Sequence, residues 1–264
     1  MANDPLPFDP VQAASAAQFN RQSDRYGKSH ILAETSDVAE ALSGIFPPPG
    51  GGHALDVATG GGHTALYLAR HGWRVSAGDV SLRMLENATR LLSEEGFDLD
   101  SQLFPAEEIP FPDASLDLVT VRVAAHHFSS PEKFLSEVVR VLKPGGYFLL
   151  IDGTVPDHDR ETEEWLHQVE KWRDPSHGRF LSRVAWEALV RAATLKILST
   201  TLRDKKQPDL EWYFETAATT PENRARVMEA VLTASSPIRQ VLRLSEEEGK
   251  IVWWWPILSL VAQK

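Results

Sequence analysis

Leu55-Asp56-Val57-Ala58-Thr59-Gly60-Gly61-Gly62-His63-Thr64-Ala65 is the stretch on which the fold turns. Residues 53–58 are short, apolar and bounded by turn formers, which predicts a buried strand. Three glycines follow, and then a helical pattern from Thr64 to Arg70 that ends near Gly72. A strand feeding a helix through such a loop leaves the helix's first N–H groups unpaired and aimed outward, where a ligand can take them. Glycine lets that ligand come close to the backbone. Working downstream, residues 73–78 (WRVSAG) predict a second strand. Ser81 caps a helix with Met84, Leu85, Ala88, Leu91 and Leu92 on one side, stopped at Gly96. Residues 99–104, 116–121 (LDLVTV) and 147–152 (YFLLID) predict three more strands. Ser130-Pro131 opens the helix before the last of them, and Lys143-Pro144-Gly145-Gly146 closes it. Upstream, Val38, Ala41, Leu42 and Ile45 have helical spacing before the break at 47–52. Apolar strands alternating with helices imply a parallel sheet covered on both faces.

The final third changes character. A helix carrying Trp165, Val169 and Trp172 precedes Arg173-Asp174-Pro175-Ser176-His177, and another starts after Ser182. Residues 195–202 predict a strand, 205–246 a helical and partly polar insert, and 251–262 (IVWWWPILSLVA) the last strand. Pro256 inside that strand predicts a bulge or an edge position. The 264 residues fit one large α/β domain: a leader (1–34), a core (35–204), the insert (205–246) and the last strand (247–264). The absence of cysteine excludes disulfides, a thiol nucleophile and thiolate metal sites. The net charge of −10 argues against nucleic acid and anionic membranes as partners. The start, MANDPLPFDPVQAA, lacks the basic and apolar regions of a secretory signal, and no apolar run is long enough to span a bilayer. A cytoplasmic location is expected. A homodimer is left open.

The loop has two readings. Gly60-x-Gly62-x-x-Ala65 fits a dinucleotide fingerprint, and Asp79 lies 19 residues after Gly60, close to the spacing of a ribose-binding acid. Asp56, however, stands directly before the loop, where a pyrophosphate would meet like charge. S-adenosylmethionine (SAM) is cationic at both its ammonium and its sulfonium and has no phosphate, so it suits an acidic loop better. The plainer reading of Asp56 is a carboxylate that caps the loop or helix, and that of Asp79 is a turn residue before the Ser81 cap.

Four blocks then resemble the class I SAM-dependent methyltransferases, in the type 11 branch related to ubiquinone/menaquinone-biosynthesis enzymes. LDVATGGGHTA (55–65) is similar to motif I and VSAGDVSLRML (75–85) to motif II. PAEEIPFPDASLDLVTVRVAAHHF (105–128) is similar to the adenine loop and fourth strand, and RVLKPGGYFLLID (140–152) to the fifth. Phe19, Tyr26, Ser29 and His30 resemble the branch's leader. The resemblance implies a Rossmann-like α/β fold: a seven-stranded sheet in the order 3-2-1-4-5-7-6 with the last strand antiparallel, an N-terminal helix, and a helical insert before the last strand. It implies SAM as cofactor and S-adenosylhomocysteine as product. Asp56, Ala58, Gly60 and Gly62 would border the methionine end, with Tyr26 above it. Asp79 would take the ribose hydroxyls, Val80 would lie against the adenine, and Ala106 and Glu107 would meet the adenine edge. Arg122 and His127 would line the mouth near the methyl group. Two positions depart from the pattern: Ala58 replaces the usual second glycine of motif I, and Pro105 replaces the adenine-binding Asp.

Methyl transfer from a sulfonium needs alignment more than acid–base chemistry, and alignment can supply ~7–11 kcal/mol. A base is needed only when the nucleophile must lose a proton, and histidine suits that at neutral pH. His127, past the fourth strand, and His177, in the Arg173–Arg179 cluster, are the candidate bases; packed or ion-paired turn residues are the alternatives. Trp212, Tyr213 and Phe214 form either an apolar lid or the core of the insert itself. The expected substrate is a small apolar or aromatic molecule. The rivals are an NAD-dependent oxidoreductase and a non-catalytic SAM-binding module, the latter hinted at by Pro105.

Overall fold

The computed structural model describes residues 8–27 and 33–264, with side chains left out at 24–27. β1 (Gly52–Val57), β2 (Trp73–Asp79), β3 (Asp100–Leu103), β4 (Leu116–Arg122) and β5 (Leu142–Gly153) run parallel. β6 (Lys196–Lys206) and the final β9 (Trp254–Gln263) complete a seven-stranded sheet in the order β3-β2-β1-β4-β5-β9-β6. β9 is antiparallel to both neighbours, as the resemblance implied. The strand order reverses between β1 and β4, so a crevice opens at their carboxyl ends, the place where such sheets bind ligands.

Helices cover both faces because the strands are apolar on both. One core joins Leu55, Val57, Val119 and Val121 to Phe134, Val138 and Trp186 of the helices Pro131–Val141 and Arg183–Ala192. The other joins Ala54, Leu118 and Ile151 to Leu66 and Leu68 of helix His63–Arg70 and to Val38. The expected caps form: Ser81, Ser130 and Ser182 each accept a bond from the backbone N–H three residues on.

The stretch 251–262 is not one strand. Lys250–Val252 (β8) pairs with Ser245–Glu247 (β7) in a separate hairpin, and the chain breaks at Trp253 before β9 begins. Trp253 is buried in a further core with Val169, Tyr213, Phe214, Val227 and Val231. That burial turns it out of the sheet's register. Pro256 sits just past the last β5 pair, Gly153 with Ile257, and its carbonyl accepts from Thr154 N. In a strand a residue's N and carbonyl point to the same side, so its missing N–H faces the side where β5 has ended. Pro256 is thus locally an edge residue within an inner strand.

The insert folds as the helices Leu210–Ala217, Pro221–Leu232 and Ser236–Val241. Tyr213 and Phe214 are buried in its own core, and the Tyr213 hydroxyl donates to Glu170 at 2.6 Å. The 212–214 aromatics pack the insert and form no lid on the crevice. Among the described residues no helix is long and apolar enough to cross a membrane.

Candidate functional site

A cavity of about 950 Å³, counting its open mouth, lies over the carboxyl ends of β1, β2 and β4. Its floor is the glycine loop. Gly60 has φ +54°, and a Cβ placed on it would meet nothing within 4 Å, so the loop leaves space directly above its backbone. Gly62 has a different task. A Cβ there would stand 2.8 Å from the Cα of Ala88, so this glycine lets the helix after β1 press against helix Leu82–Glu94. Gly62 does not line the cavity.

Asp79, at the end of β2, lines it. One carboxylate oxygen accepts from Gly60 N at 2.9 Å and the other from Ser81 N at 2.8 Å. Burial pushes its pKa up to about 6 against these bonds, and the nearby charge of Asp56 adds to the rise. Asp56 itself lies beneath the loop and outside the cavity lining. It accepts from the hydroxyls of Thr59 and Thr120, both at 2.7 Å, and burial raises it to about 6 as well. The plainer, capping reading therefore describes its contacts. Ala58 and Val123, at the ends of β1 and β4, both line the cavity with positive φ (52° and 53°). For a β-branched residue such as Val123 this is strained backbone, and such strain gathers at functional sites.

One wall carries Val80, Met84, Phe104 and Ala106. Glu107 beside them is a junction. One oxygen accepts from Ser129 N (2.7 Å), the Ser129 hydroxyl (3.0 Å) and Ser130 N (3.2 Å), and the other accepts from Gln12 Nε2 at 2.9 Å. Gln12 belongs to the leader helix Pro10–Gly27, whose Gln12, Ser15 and Phe19 form the roof. Asp9 and Gln12 close a reciprocal cap at the start of that helix: Gln12 N donates to Asp9 Oδ1 and Asp9 N to Gln12 Oε1. The Ser15 hydroxyl is buried at the cavity with no bonded partner among the described residues. Tyr26 lies in the same helix, but its side chain, like Ser29 and His30, falls outside the described residues.

The far end of the cavity holds Arg122, Phe128 and His127. Arg122 pairs with Asp37 at 2.8 Å and donates to Glu34 O. His127 is buried, with Phe19 edge-on at 4.9 Å. Its Nδ1 donates to Ser176 O at 3.0 Å, which leaves Nε2 as the acceptor. Burial, helped by the charge of neighbouring His126, lowers its pKa to about 4, so the ring is neutral at pH 7. His126 is held differently. Burial alone would lower its pKa, but Asp152, bonded to Nδ1 at 2.7 Å, outweighs that and raises it. His177 stacks behind this pair, 5.3 Å from His126 and against Phe180, and does not line the cavity. Its burial pushes its pKa far down.

Of the residues singled out in the sequence, Ala58, Gly60, Asp79, Val80, Ala106, Glu107, Arg122 and His127 meet at this cavity, while Asp56, Gly62 and His177 stand behind it. Gln12, Ser15, Met84, Phe104 and Phe128 were not anticipated. Gln12, Ser15 and Phe19 do share one helical face at i, i+3 and i+7, a signal present in the sequence.

Open space above Gly60, an acid at the end of β2 and an orphaned hydroxyl in the roof fit a hydroxyl-bearing nucleoside that carries positive charge. The family model described as "Methyltransferase domain" matches residues 55–150. The uncharacterized methyltransferase YcgJ of Bacillus subtilis strain 168 is 35% identical over 178 residues, covering 67% of this chain and 70% of that protein. The crystal structure of the B. subtilis YcgJ protein superposes with a TM-score of 0.81 at 27% identity, over 89% of this chain and 99% of that one. The ubiquinone/menaquinone biosynthesis C-methyltransferase UbiE of Desulfotalea psychrophila is 38% identical over 110 residues, which is 41% of this chain and 44% of that protein. Fold and loop define a class I SAM-dependent methyltransferase, and the chain belongs to that family, in the branch that includes YcgJ and the UbiE enzymes.

Proposed function

We propose that this chain transfers the methyl group of SAM to a small apolar or aromatic molecule. The observation that carries the reading is one continuous cavity, running from Asp79 and Val80 across Gly60 to Phe128 and His127. SAM supplies a methyl group on a positively charged sulfur, which makes the leaving group good without further activation. Asp79 would hold the ribose hydroxyls, Val80, Met84 and Phe104 the adenine, and Ala106 with Glu107 its edge. Thr59, Gly60 and Arg122 would border the methionine end. Phe19, Val123, Ala124 and Phe128 give the acceptor's end apolar walls that exclude water. His127, neutral with Nε2 as acceptor, can hydrogen-bond the nucleophile's proton and take it as the new bond to the methyl carbon makes that proton strongly acidic, which is within reach of a histidine lowered to about 4. The acceptor stays with the protein's own pocket chemistry: apolar, small, and carrying one acidic proton.

The experiment is incubation with methyl-labelled SAM and cell extract, with mass spectrometry of the products. A labelled small aromatic product is expected, and its yield should fall at least tenfold in His127→Gln. SAM binding without any labelled product would overturn the reading.

A further inference from the structure

His127 reaches Ser176 at two oxygens: the carbonyl calls for the Nδ1–H tautomer, and the hydroxyl can either support or oppose it. Its Nδ1 lies 3.0 Å from Ser176 O and 3.3 Å from Ser176 Oγ. The carbonyl can only accept. The hydroxyl could do either, but its proton is already given to Asp174 Oδ1 at 2.6 Å, and the same oxygen accepts from Ser176 N at 2.8 Å. Both Ser176 oxygens therefore present lone pairs to Nδ1. Asp174 is 2% exposed and stands at the end of helix Arg160–Arg173. A carboxylate buried so deeply is costly unless it is fully bonded.

We infer that Asp174 is a positioning residue for His127: by engaging the Ser176 hydroxyl it stops that hydroxyl from donating to Nδ1, so the Nδ1–H form called for by the Ser176 carbonyl goes uncontested and Nε2 stays unprotonated. This rests on the reading of His127 as the base. Without Asp174 the hydroxyl is free to turn and donate to Nδ1, which would place the proton on Nε2 and remove the acceptor. The charged and titratable groups facing the ring are His126 on the same turn, Asp152 from β5 and Asp174 itself, with His177 6.3 Å away. Among them, Asp174 acts through the hydroxyl.

The test is long-range proton–nitrogen NMR of the full chain with ring-labelled histidine, in the presence of S-adenosylhomocysteine. In the wild type, Nδ1 of His127 should resonate as a protonated nitrogen and Nε2 as a bare one. Asp174→Ala should populate the Nε2–H form. Asp174→Asn, which keeps an acceptor oxygen, should restore the wild-type pattern. So should Asp174→Ala combined with Ser176→Ala, because the hydroxyl freed by the first change is removed by the second. A merely structural role for Asp174 would not predict that second rescue. If Asp174→Ala does not fold, Asp174→Leu, which fills the same space without an acceptor, carries the same comparison. A wild-type ring in the Nε2–H form, or an unchanged tautomer in the folded alanine or leucine variant, overturns the inference. Undiminished methyl transfer by His127→Gln would instead overturn only the reading of His127 as base.

Discussion

Gly60 and Gly62 are two residues apart and look alike in the sequence, yet the structure gives them separate work. Gly60→Ala adds a methyl to empty space, so stability should fall by only about 1 kcal/mol, the cost of a left-handed alanine. SAM binding should be largely lost, because the methyl occupies the ligand's side of the loop. Gly62→Ala should cost roughly 2–4 kcal/mol, strain plus collision with Ala88. Urea melts paired with calorimetric titration of SAM separate the two outcomes; equal stability losses would contradict this division. Asp79→Asn should weaken SAM binding by about tenfold to a hundredfold, the ~1.5–3 kcal/mol of a hydrogen bond to a charged group. In the wild type, Asp79 and Asp56 take up protons as the pH falls through about 6. A cationic ligand favours their ionised forms. SAM affinity should therefore drop between pH 7.5 and pH 5, as calorimetry at the two values would detect. At this scale the sequence was readable for position, as for Asp79, because an acid that ends the strand next to β1 must stand beside the glycine loop. It was not readable for Asp56, because an acid at a strand end looks the same whether it meets a ligand or two threonine hydroxyls.

The strands, helices and caps of the nucleotide-binding part were legible because local rules and burial agree there. Trp253 and the leader were harder, since each depends on where a distant element lands. The leader helix is tied down largely by polar bonds: Gln12 to Glu107, Gln18 to Ala217 O, the Ser81 hydroxyl to Asn20, and Asn87 to Ser23 O. Each contributes about 1 kcal/mol, and none of the helix's described side chains belongs to the two cores of the sheet. Removing residues 1–33 should thus leave a cooperatively melting sheet while affinity for S-adenosylhomocysteine falls at least tenfold. Loss of the melting transition would show that the leader belongs to the folding unit. A milder change, Asp9→Ala, deletes the helix cap and should cost the helix about 1 kcal/mol. Faster amide exchange confined to Pro10–Gly27 is the expected readout.

Across the whole molecule, two sets of buried groups oppose each other in acid. His127, at about 4, and His177, lowered further, refuse protons that the unfolded chain accepts near its ordinary pKa of 6.5. Their contribution to stability is therefore present above pH 6.5 and is lost as the pH falls toward 4. Asp56 and Asp79 act in the other sense, binding protons in the folded state between about 6 and the ordinary 3.8, so they stabilise as pH falls. His177→Leu removes one member of the first set, and its Nε2 has no bonded partner among the described residues. The variant should lose less stability than the wild type between pH 7.5 and pH 5 in urea melts, and an equal loss would count against this balance.

Beyond charge, the insert leaves and rejoins the sheet at one place: Gln207 N donates to Trp253 O at 2.8 Å, right beside the last β6–β9 pair, Lys206 with Trp254. That closed neck makes residues 207–253 a graft site. Loop closure costs only about 0.6 kcal/mol per doubling of length, so a lineage or an engineer can exchange the whole excursion without moving the register of either strand. The replacement must bring an apolar cover for Val169 and a partner for Glu170, and whatever it presents to Gln18 will set how firmly the roof closes. Because no residue of 207–253 lines the cavity, such an exchange would leave the crevice's walls as they are and reach the site through the roof helix.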